Sequence, residues 1–235
     1  MENNKTKDLL IDAAERLFGE HGIKGVSLRQ INTEAGQRNA SAVHYHFGTK
    51  EELVRAIFLK RLPIAGRIRE QMLDAAEQAP EADRPALLVR ALVMPLAANM
   101  LDLNLSEDFI RLLVQVRMDL TLDWAEIEST SHAASLERLY DAVAAMMPEE
   151  DARSMRRRMA VLHSMTINGV SDIATYRERQ RKAGKEVDVV LALENLMAMT
   201  TAALCAPLEL AALKIGDSFD FSSGTGNRKE DLIHA

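Results

Sequence analysis

The residues best suited to a chemical task lie close together near the N-terminus, in a segment predicted to form a short helix. Its outer face would carry small and polar side chains, namely Asn39, Ser41, Ala42, His44 and Tyr45. Small side chains let a helix approach base edges, Ser and His form hydrogen bonds with them, and an Ala methyl contacts the methyl of thymine. This combination is typical of a helix that enters the major groove of DNA.

Side chains suited to holding phosphates flank that helix. Hydroxyl and cationic groups near helix ends are common partners of phosphate oxygens, and the residues of these types here are Ser27, Arg29, Tyr45, Thr49 and Lys50. Three interpretations of Arg38 are open, because its guanidinium can meet a phosphate, a guanine or only water. The pattern alone also fits a small helical subdomain with no nucleic-acid partner.

These side chains must be positioned by short helices. Apolar residues at i, i+1, i+4 and i+5 predict a helix over 6–19. Ser27 is a favourable N-cap for a second helix through Ala35, and Asn39 can cap a third helix through Phe47. Two short helices joined by a Gly-containing turn and braced by another are the physical description of a helix-turn-helix.

The remainder of the chain changes to longer helices. Thr49 followed by Glu52 is a capping box that opens a fourth helix, which Pro63 would kink. Only two glycines, Gly169 and Gly184, lie between residues 67 and 215, so we expect few turns to interrupt this part of the chain. Later helices are predicted at about 66–79, 84–102, 106–119, 130–147, 149–182 and 187–213.

These patterns predict an all-α chain with three parts. The first is a helix-turn-helix DNA-binding domain over residues 1–50. The second is a larger helical ligand-binding and dimerisation domain over 51–213, in which 51–62 form a connecting helix. The polar residues 214–235 are expected to be a disordered tail.

Composition excludes several classes of protein. Of 235 residues, 47% are apolar and 27% are charged, which is ordinary for a globular protein. The single cysteine, Cys205, rules out an internal disulfide or a cysteine-based metal cluster. The most apolar stretch, 189–213, contains too many polar residues for a membrane span, and the N-terminus lacks the apolar segment of a secretory signal. We therefore expect a cytoplasmic protein without a membrane partner.

The net charge of −6 hides an asymmetry along the chain. Residues 1–61 carry ten Lys or Arg and eight Asp or Glu, a net charge of +2, whereas residues 62–235 carry nineteen and twenty-seven, a net charge of −8. The total argues against broad nucleic-acid binding but allows a local basic surface near the N-terminus.

The N-terminal residues resemble the signature of the TetR family of bacterial repressors. The matching elements are an AAERLF-type first helix, the turn glycine after Ala35, and the run Tyr45-His46-Phe47-Gly48-Thr49-Lys50-Glu51-Glu52-Leu53. The resemblance implies a homodimer that binds double-stranded DNA at a near-palindromic operator, with one reading helix in each major groove. It also implies that Tyr45 and Lys50 touch the DNA backbone and that Phe47 packs inside.

One part of the pattern departs from the family. The usual spacing between the residues that match Ala35 and Tyr45 is one residue shorter. Here Gln37-Arg38-Asn39 replaces a turn that normally holds an apolar residue and a Ser or Thr cap. Counting back from Tyr45 places Asn39 at the cap, which leaves the register of base contacts over 38–42 open.

The resemblance further implies that the C-terminal helical domain encloses a small-molecule effector and forms the dimer through its last two long helices. The stripe predicted as the dimer interface contains small residues that permit close packing, and comprises Val189, Leu193, Leu196, Thr200, Ala203 and Leu204. The alternative is that this stripe packs only within the monomer.

The effector pocket is predicted from two kinds of residue. Met fills adaptable apolar space, and a polar group on an apolar stretch must find a partner. The candidate lining residues are Met100, Arg117, Met118, Trp124, Met159, His163 and Asn168. Ordinary core packing is the alternative for each of them, and the Met-rich, aromatic-poor composition favours an apolar effector.

Two other classes of protein compete with this hypothesis. A di-iron enzyme would need Glu-x-x-His pairs, but none of the six His has Glu three residues before it. The chain also contains no His-Glu-x-x-His, Gly-x-Ser-x-Gly or phosphate-binding Gly-rich motif. A helical protein adaptor would explain the long helices but not the small, polar face of 39–45. We therefore expect no catalytic residue, metal or cofactor, and a ligand-responsive repressor released from its operator by a small apolar molecule.

Overall fold

The computed structural model describes most of the chain and contains helices without a strand in the described part. The described residues are 2–39, 41–101, 107–119, 133–146 and 152–206. Within them, residues up to Cys205 form one compact unit. The predicted all-α class is confirmed. The predicted tail over 214–235 lies outside the described residues.

Four helices build the N-terminal region. They are α1 (Glu2–His21), α2 (Leu28–Glu34), α3 (Ala42–Phe47) and α4 (Lys50–Glu77). Their large apolar side chains are almost completely buried and form one core: Leu10, Phe18, Ile31, Val43, Leu53, Ile57 and Phe58. The apolar positions that predicted these helices therefore face one another, which is the burial that stabilises helices as short as α2 and α3.

Local capping fixes where α2 and α4 begin. Ser27 caps α2, and its side chain accepts a hydrogen bond from the backbone N–H of Gln30 while the Gln30 side chain accepts one from the Ser27 N–H. Thr49 caps α4, with its hydroxyl oxygen 3.1 Å from the N–H of Glu52. Both predicted N-caps are confirmed. Each satisfies a backbone donor that the first helical turn would otherwise leave without a partner.

Helix α4 is one continuous helix of 28 residues that contains Pro63 in its interior. The separate helix predicted over 66–79 is therefore the C-terminal half of α4. Pro63 removes one backbone hydrogen bond, but apolar residues continue to be buried on both sides of it, Leu62 and Ala65 among them. Burial of this face outweighs the lost bond.

The longer C-terminal helices lie close to the predicted positions. They are α5 (Arg84–Ala97), α6 (Glu107–Met118), α7 (Ala133–Ala144), α8 (Ala152–Lys182) and α9 (Val189–Cys205). Helix α5 contains Pro95 and continues into a 3-10 turn at Ala98–Leu101. Helix α4 packs along α5, α9 packs against α5 and α8, and α1 packs mainly on α6.

Ion pairs connect α1 to α4 beside the apolar core. The carboxylate of Glu15, which is almost completely buried, accepts a hydrogen bond from Arg61 Nε at 2.7 Å. Asp12 pairs with Lys60 at 2.8 Å and with the same Arg61 at 2.9 Å. A buried carboxylate needs such a partner, so these contacts hold the two helices together.

No helix in the described part of the chain is long and apolar enough to cross a membrane.

Candidate nucleic-acid interface

A buried asparagine fixes α3 relative to α2. The Oδ1 atom of Asn32 in α2 accepts a hydrogen bond of 3.0 Å from the backbone N–H of Val43 in the first turn of α3. Asn32 is only 2% exposed and Val43 is fully buried. A first-turn N–H has no partner within its own helix, so Asn32 satisfies it and sets the angle between the two helices. No local pattern of residues indicates this role, because the contact depends on how the two helices pack.

Most of the predicted DNA-contacting residues are on the surface. Tyr45 is the most prominent, with 77% of its surface exposed. The other exposed members of the predicted set are Ser27, Arg29, Arg38, Asn39, Ser41, His44 and Thr49. Helix α3 therefore presents Ser41, His44 and Tyr45 to solvent, next to the polar turn that precedes it. Phe47, which was expected inside, is half-buried.

Two expectations for the start of α3 need correction. Ala42 is 5% exposed and faces the core with Val43, instead of lying on the outer face. The helix begins at Ala42, so the N-cap position is Ser41 and not Asn39. Asn39 instead closes a turn, with its side-chain oxygen 2.9 Å from the N–H of Ser41. The longer turn thus shifts the helix start, which the spacing argument could not locate.

Several exposed polar groups on this surface already have partners within the chain. The Ser27 hydroxyl donates to Gln30 Oε1 at 2.7 Å. His44 Nδ1 lies 2.8 Å from the carbonyl oxygen of Gly48. A carbonyl can only accept, so Nδ1 carries the proton and Nε2 is the nitrogen that His44 offers outward. This bond also stabilises the C-terminal end of α3, where Gly48 adopts a φ of 76° that favours glycine.

Lys50 lies at the first position of α4 and is half-buried. Its ammonium donates hydrogen bonds to the carbonyl oxygens of Ile23 at 3.0 Å and Val26 at 2.7 Å. Both carbonyls belong to the segment that joins α1 to α2. An ammonium has three N–H groups, so two of them are engaged with the protein. The phosphate contact of Lys50 stays a prediction, and its contact with this segment is a role that the sequence did not indicate.

The predicted effector-binding residues are spread over different environments. Met100, Met159 and His163 are buried, Arg117 is half-buried, and Met118 and Asn168 are exposed. Trp124 lies outside the described residues. His163 Nδ1 is 3.1 Å from the hydroxyl of Tyr140 in α7, and the Asn168 amide donates to Ser164 O. Met118 and Asn168 were expected to line the pocket, but both are exposed. This expectation is corrected, because both side chains face away from the packed side of their helices.

A cavity of about 310 Å³ lies elsewhere, between the C-terminal ends of α4 and α7 and the start of α5. Its walls are mostly apolar with a charged rim, and comprise Leu73, Ala76, Glu77, Glu81, Arg84, Leu88, Ala142, Ala145 and Met146. None of the predicted effector residues lines it. The small residues Ala76, Ala142 and Ala145 leave this space open, and a sequence with many helical alanines does not reveal which of them meet.

One charged group near the cavity rim has a shifted pKa. Arg138 of α7 donates hydrogen bonds to Glu77 at 2.7 Å, Glu70 at 2.5 Å and Asp74 at 2.8 Å, all on α4. These carboxylates, Glu77 first, raise the pKa of Arg138 above its usual range. Arg138 is thus a permanent cation that holds Glu77 at the edge of the cavity and connects α7 to α4.

The stripe predicted as the dimer interface faces the interior of the chain. Val189, Leu193, Thr200 and Leu204 are between 2% and 8% exposed, and Leu196 and Ala203 are half-buried. Close packing explains this orientation, because a Cβ atom on Gly169 of α8 would lie 2.8 Å from a methyl group of Leu196. The expected placement is therefore corrected in favour of the alternative, that the stripe packs within the monomer.

A different apolar surface on α8 and α9 is exposed. Its large residues are each between 54% and 68% exposed, and comprise Val161, Met165, Tyr176, Val190, Leu191 and Met199. On α9, exposed Ala198 and Ala202 lie on the same side as Leu191 and Met199, since spacings of 3, 4, 7 and 8 residues share a helix face. We call this set the outer α8–α9 face. Isolated exposed apolar residues are common, whereas a contiguous group indicates an interaction surface.

Within the described residues, no group of three or more His, Cys, Asp and Glu side chains is arranged to hold a metal ion. The arrangement that the structure does contain is a polar surface helix, α3, on a small core, joined by α4 to a larger helical body. That arrangement suits recognition of a macromolecule.

Comparison with known proteins identifies the same architecture. Residues 10–57 match the family model described as bacterial regulatory proteins, tetR family. The chain is 36% identical over 118 residues to the HTH-type transcriptional dual regulator CecR of Shigella flexneri, which is 48% of this chain and 50% of the relative. The alignment thus spans about half the length of this curated relative.

Solved structures share the fold over most of the chain at low sequence identity. NalD, the secondary repressor of the MexAB-OprM multidrug efflux pump in Pseudomonas aeruginosa, superposes with a TM-score of 0.53 at 20% identity, over 85% of this chain and 97% of NalD. FadR, a fatty acid degradation regulator from Bacillus halodurans, gives a TM-score of 0.51 at 16% identity, over 83% of this chain and 97% of FadR. The N-terminal residues 10–57 thus match the tetR family of bacterial regulatory proteins, and the chain as a whole shares the fold of these solved structures.

Proposed function

We propose that this protein is a homodimeric transcriptional regulator that binds a near-palindromic DNA operator and is released by a small apolar molecule. The observation that carries the DNA-binding part is α3, whose polar side chains are exposed while Asn32 holds its first turn. A reading helix must be rigid, small at its contact face and accessible. Ser41, His44 and Tyr45 provide that face.

The remaining predicted contacts support the same surface. Arg29 and Arg38 are exposed cations near the ends of α2, where they can hold phosphates on either side of the groove. The hydroxyls of Ser27 and Thr49 lie at the helix N-termini that they cap, and helix N-termini attract phosphates. Asn39, in the turn before α3, is a further predicted contact. With Ala42 in the core, base contacts in this proposal come from Ser41 and His44, and Tyr45 contacts the DNA backbone.

The outer α8–α9 face supports dimerisation. Two copies joined through such a face would form a four-helix bundle, in which Ala198 and Ala202 permit close approach. Two-fold symmetry of the protein then matches the inverted repeat of the operator, with half-sites about one helical turn or more apart. This face replaces the inward-facing stripe as the proposed interface.

The cavity between α4, α5 and α7 supports an effector with an apolar body. Its alanine-rich walls fit an aliphatic group, and α4 runs without interruption from this cavity to Thr49 beside the reading helix. An effector that binds one position of α4 more tightly than another shifts the spacing of the two reading helices, whereas equal affinity would shift nothing. We propose repression as the main mode. Activation is compatible with the same fold, and the relative CecR is a dual regulator.

Selection of binding sites from random duplex DNA tests the DNA-binding proposal. The wild-type protein should enrich an inverted repeat, and His44→Ala should relax base choice at one position of each half-site, at a cost of about 1–3 kcal/mol. Gln71→Leu, an exposed substitution on α4 away from α3, is the matched control and should leave the recovered sequence unchanged. Failure to enrich any sequence at low salt would reject the proposal and favour a helical adaptor.

The recovered operator then allows a search for the effector. Aliphatic alcohols, acids and amines of increasing chain length can be screened for release of the labelled operator. Ala142→Leu would fill part of the cavity and should abolish release by the active compound while operator binding is retained. Release that is unaffected by this substitution would place the effector outside this cavity.

A further inference from the structure

Helices α6 and α1 cross at very close range. A Cβ atom added to Gly19 of α1 would lie 2.7 Å from the Cβ and 2.9 Å from the Cα of Asp108 in α6. Real Cβ atoms essentially never approach other atoms this closely, so the crossing requires glycine. Because the backbones are nearly in contact, no layer of flexible side chains separates α6 from α1 here. A displacement of α6 must therefore move α1 as well.

Two turns further along α6, the side chain of Gln115 forms hydrogen bonds at the end of α1. The amide of Gln115 donates from Nε2 to the carbonyl oxygen of Phe18 at 3.1 Å, and its Oε1 accepts from the backbone N–H of Ile23 at 3.3 Å. The first contact is to the last turns of α1 and the second is to the segment that leads to α2. A single amide thus connects α6 to both sides of the point where α1 ends.

The same segment is held from α4. Lys50 donates to the carbonyl oxygens of Ile23 and Val26, so the N–H of Ile23 is bound by α6 and its carbonyl by α4. We call residues 22–26 the α1–α2 joint. The joint begins at Gly22, with a φ of 79°, and ends at buried Val26, directly before the Ser27 cap of α2.

We propose that Gln115 is a positioning residue that couples α6 to the helix-turn-helix through the α1–α2 joint, with Lys50 as the second anchor. The inference rests on the proposed DNA-binding function. A hydrogen bond weakens steeply once its donor–acceptor distance exceeds about 3.5 Å, so a shift of α6 by about 1 Å either carries the joint with it or releases Gln115. Either outcome changes where α2, and through Asn32 also α3, can lie.

Hydrogen exchange of single amides tests the coupling without a known effector. Coupling is reciprocal, so binding of the selected operator to wild-type protein should slow exchange in α6 as well as in α2 and α3. In Gln115→Leu, the Ile23 amide should exchange about tenfold faster, and operator binding should still protect α2 and α3 but no longer α6. Operator affinity should fall about tenfold, the scale of one or two hydrogen bonds, with an unchanged recovered sequence.

The outcomes separate this inference from the proposed function. If wild-type protein binds its operator and α6 shows no protection, or if α6 protection persists in Gln115→Leu, the coupling role of Gln115 is rejected while DNA binding stands. If no duplex is bound, the proposed function fails and the inference fails with it. A loss of thermal stability alone, with α6 protection retained, would mean that Gln115 is merely structural.

A control variant and a second Gln115 variant distinguish loss of the coupling from loss of the folded structure. Gln71→Leu makes the same chemical change at an exposed position of α4 and should alter neither exchange nor coupling. If Gln115→Leu does not fold, Gln115→Asn shortens the side chain by one methylene, keeps the amide, and should uncouple α6 because it cannot reach both Phe18 and Ile23.

Discussion

The helix-turn-helix and the last two helices acquire their positions in different ways. Helices α2 and α3 are 7 and 6 residues long, too short to be stable alone. Two side chains fix their geometry, because Asn32 accepts a hydrogen bond from a backbone N–H and Lys50 donates to two backbone carbonyls. Helices α8 and α9, with 31 and 17 residues, are placed by apolar packing and leave the outer α8–α9 face exposed. The first region is held in one geometry by contacts within the chain, whereas the second leaves an apolar surface exposed, which we propose as the dimer interface.

Truncation of a leucine on the inward side of α9 should cost more stability than truncation of an exposed leucine on α4. Leu193 is 2% exposed, so Leu193→Ala should lower the free energy of unfolding by about 2–5 kcal/mol through lost burial and a cavity. Leu59→Ala, at a 42% exposed leucine, is the matched control and should cost less than about 1 kcal/mol. Urea unfolding measures both. Equal costs at the two positions would contradict the inward orientation of the stripe.

Charges on the outer face should break the dimer and leave the monomer folded. In Leu191→Glu with Met199→Glu, two carboxylates replace residues that are 54% and 68% exposed. We expect monomers by sedimentation equilibrium, retained helical circular dichroism, and operator affinity reduced by about 100-fold, or about 2.7 kcal/mol. A variant that stays dimeric would place the interface on another surface.

Sequence periodicity located the helices because it depends on local spacing. The Ser27 and Thr49 caps were predictable for the same reason, since each bond spans three residues. Periodicity did not reveal which side of α9 faces the chain, because apolar residues such as Val189, Val190 and Leu191 surround the helix. It favoured the small-residue stripe, but contact with α5 and α8 turned that side inward.

The contacts that define the site depend on residues far apart in sequence. Gln115 and Ile23 are 92 positions apart, and Arg138 and Glu70 are 68 apart. Neither pairing has a local signature. The start of α3 was missed for a different reason, because the turn before it continues for two residues beyond Asn39 to the cap position at Ser41, while the downstream Tyr45-His46-Phe47 pattern is unchanged.

Removal of the Asn32 side-chain amide should weaken the attachment of α3 to α2. In Asn32→Ala, the buried N–H of Val43 loses its acceptor, which should cost about 1–3 kcal/mol of unfolding free energy. Amides of α3 should exchange faster than those of α1. Thr33→Ala, at the exposed neighbouring position, serves as the control and should stay within about 0.5 kcal/mol of wild type. Unchanged exchange in α3 would show that apolar packing alone holds it.

Lys50→Met gives the smallest expected effect and distinguishes two roles of one side chain. Methionine keeps the aliphatic stem and removes the ammonium that binds Ile23 and Val26. If Lys50 acts as an anchor, operator affinity should fall about threefold, or about 0.7 kcal/mol, with an unchanged slope of log affinity against log salt. If it contacts a phosphate, the magnitude of that slope should fall by about 0.9 per half-site.

Arg29→Met, at an exposed cation of α2, is the comparison that should lower the magnitude of the slope. Equal slopes for wild type and Lys50→Met, together with faster exchange at residues 22–26, would assign to Lys50 the positioning of the reading helix and to the exposed arginines the attraction of DNA.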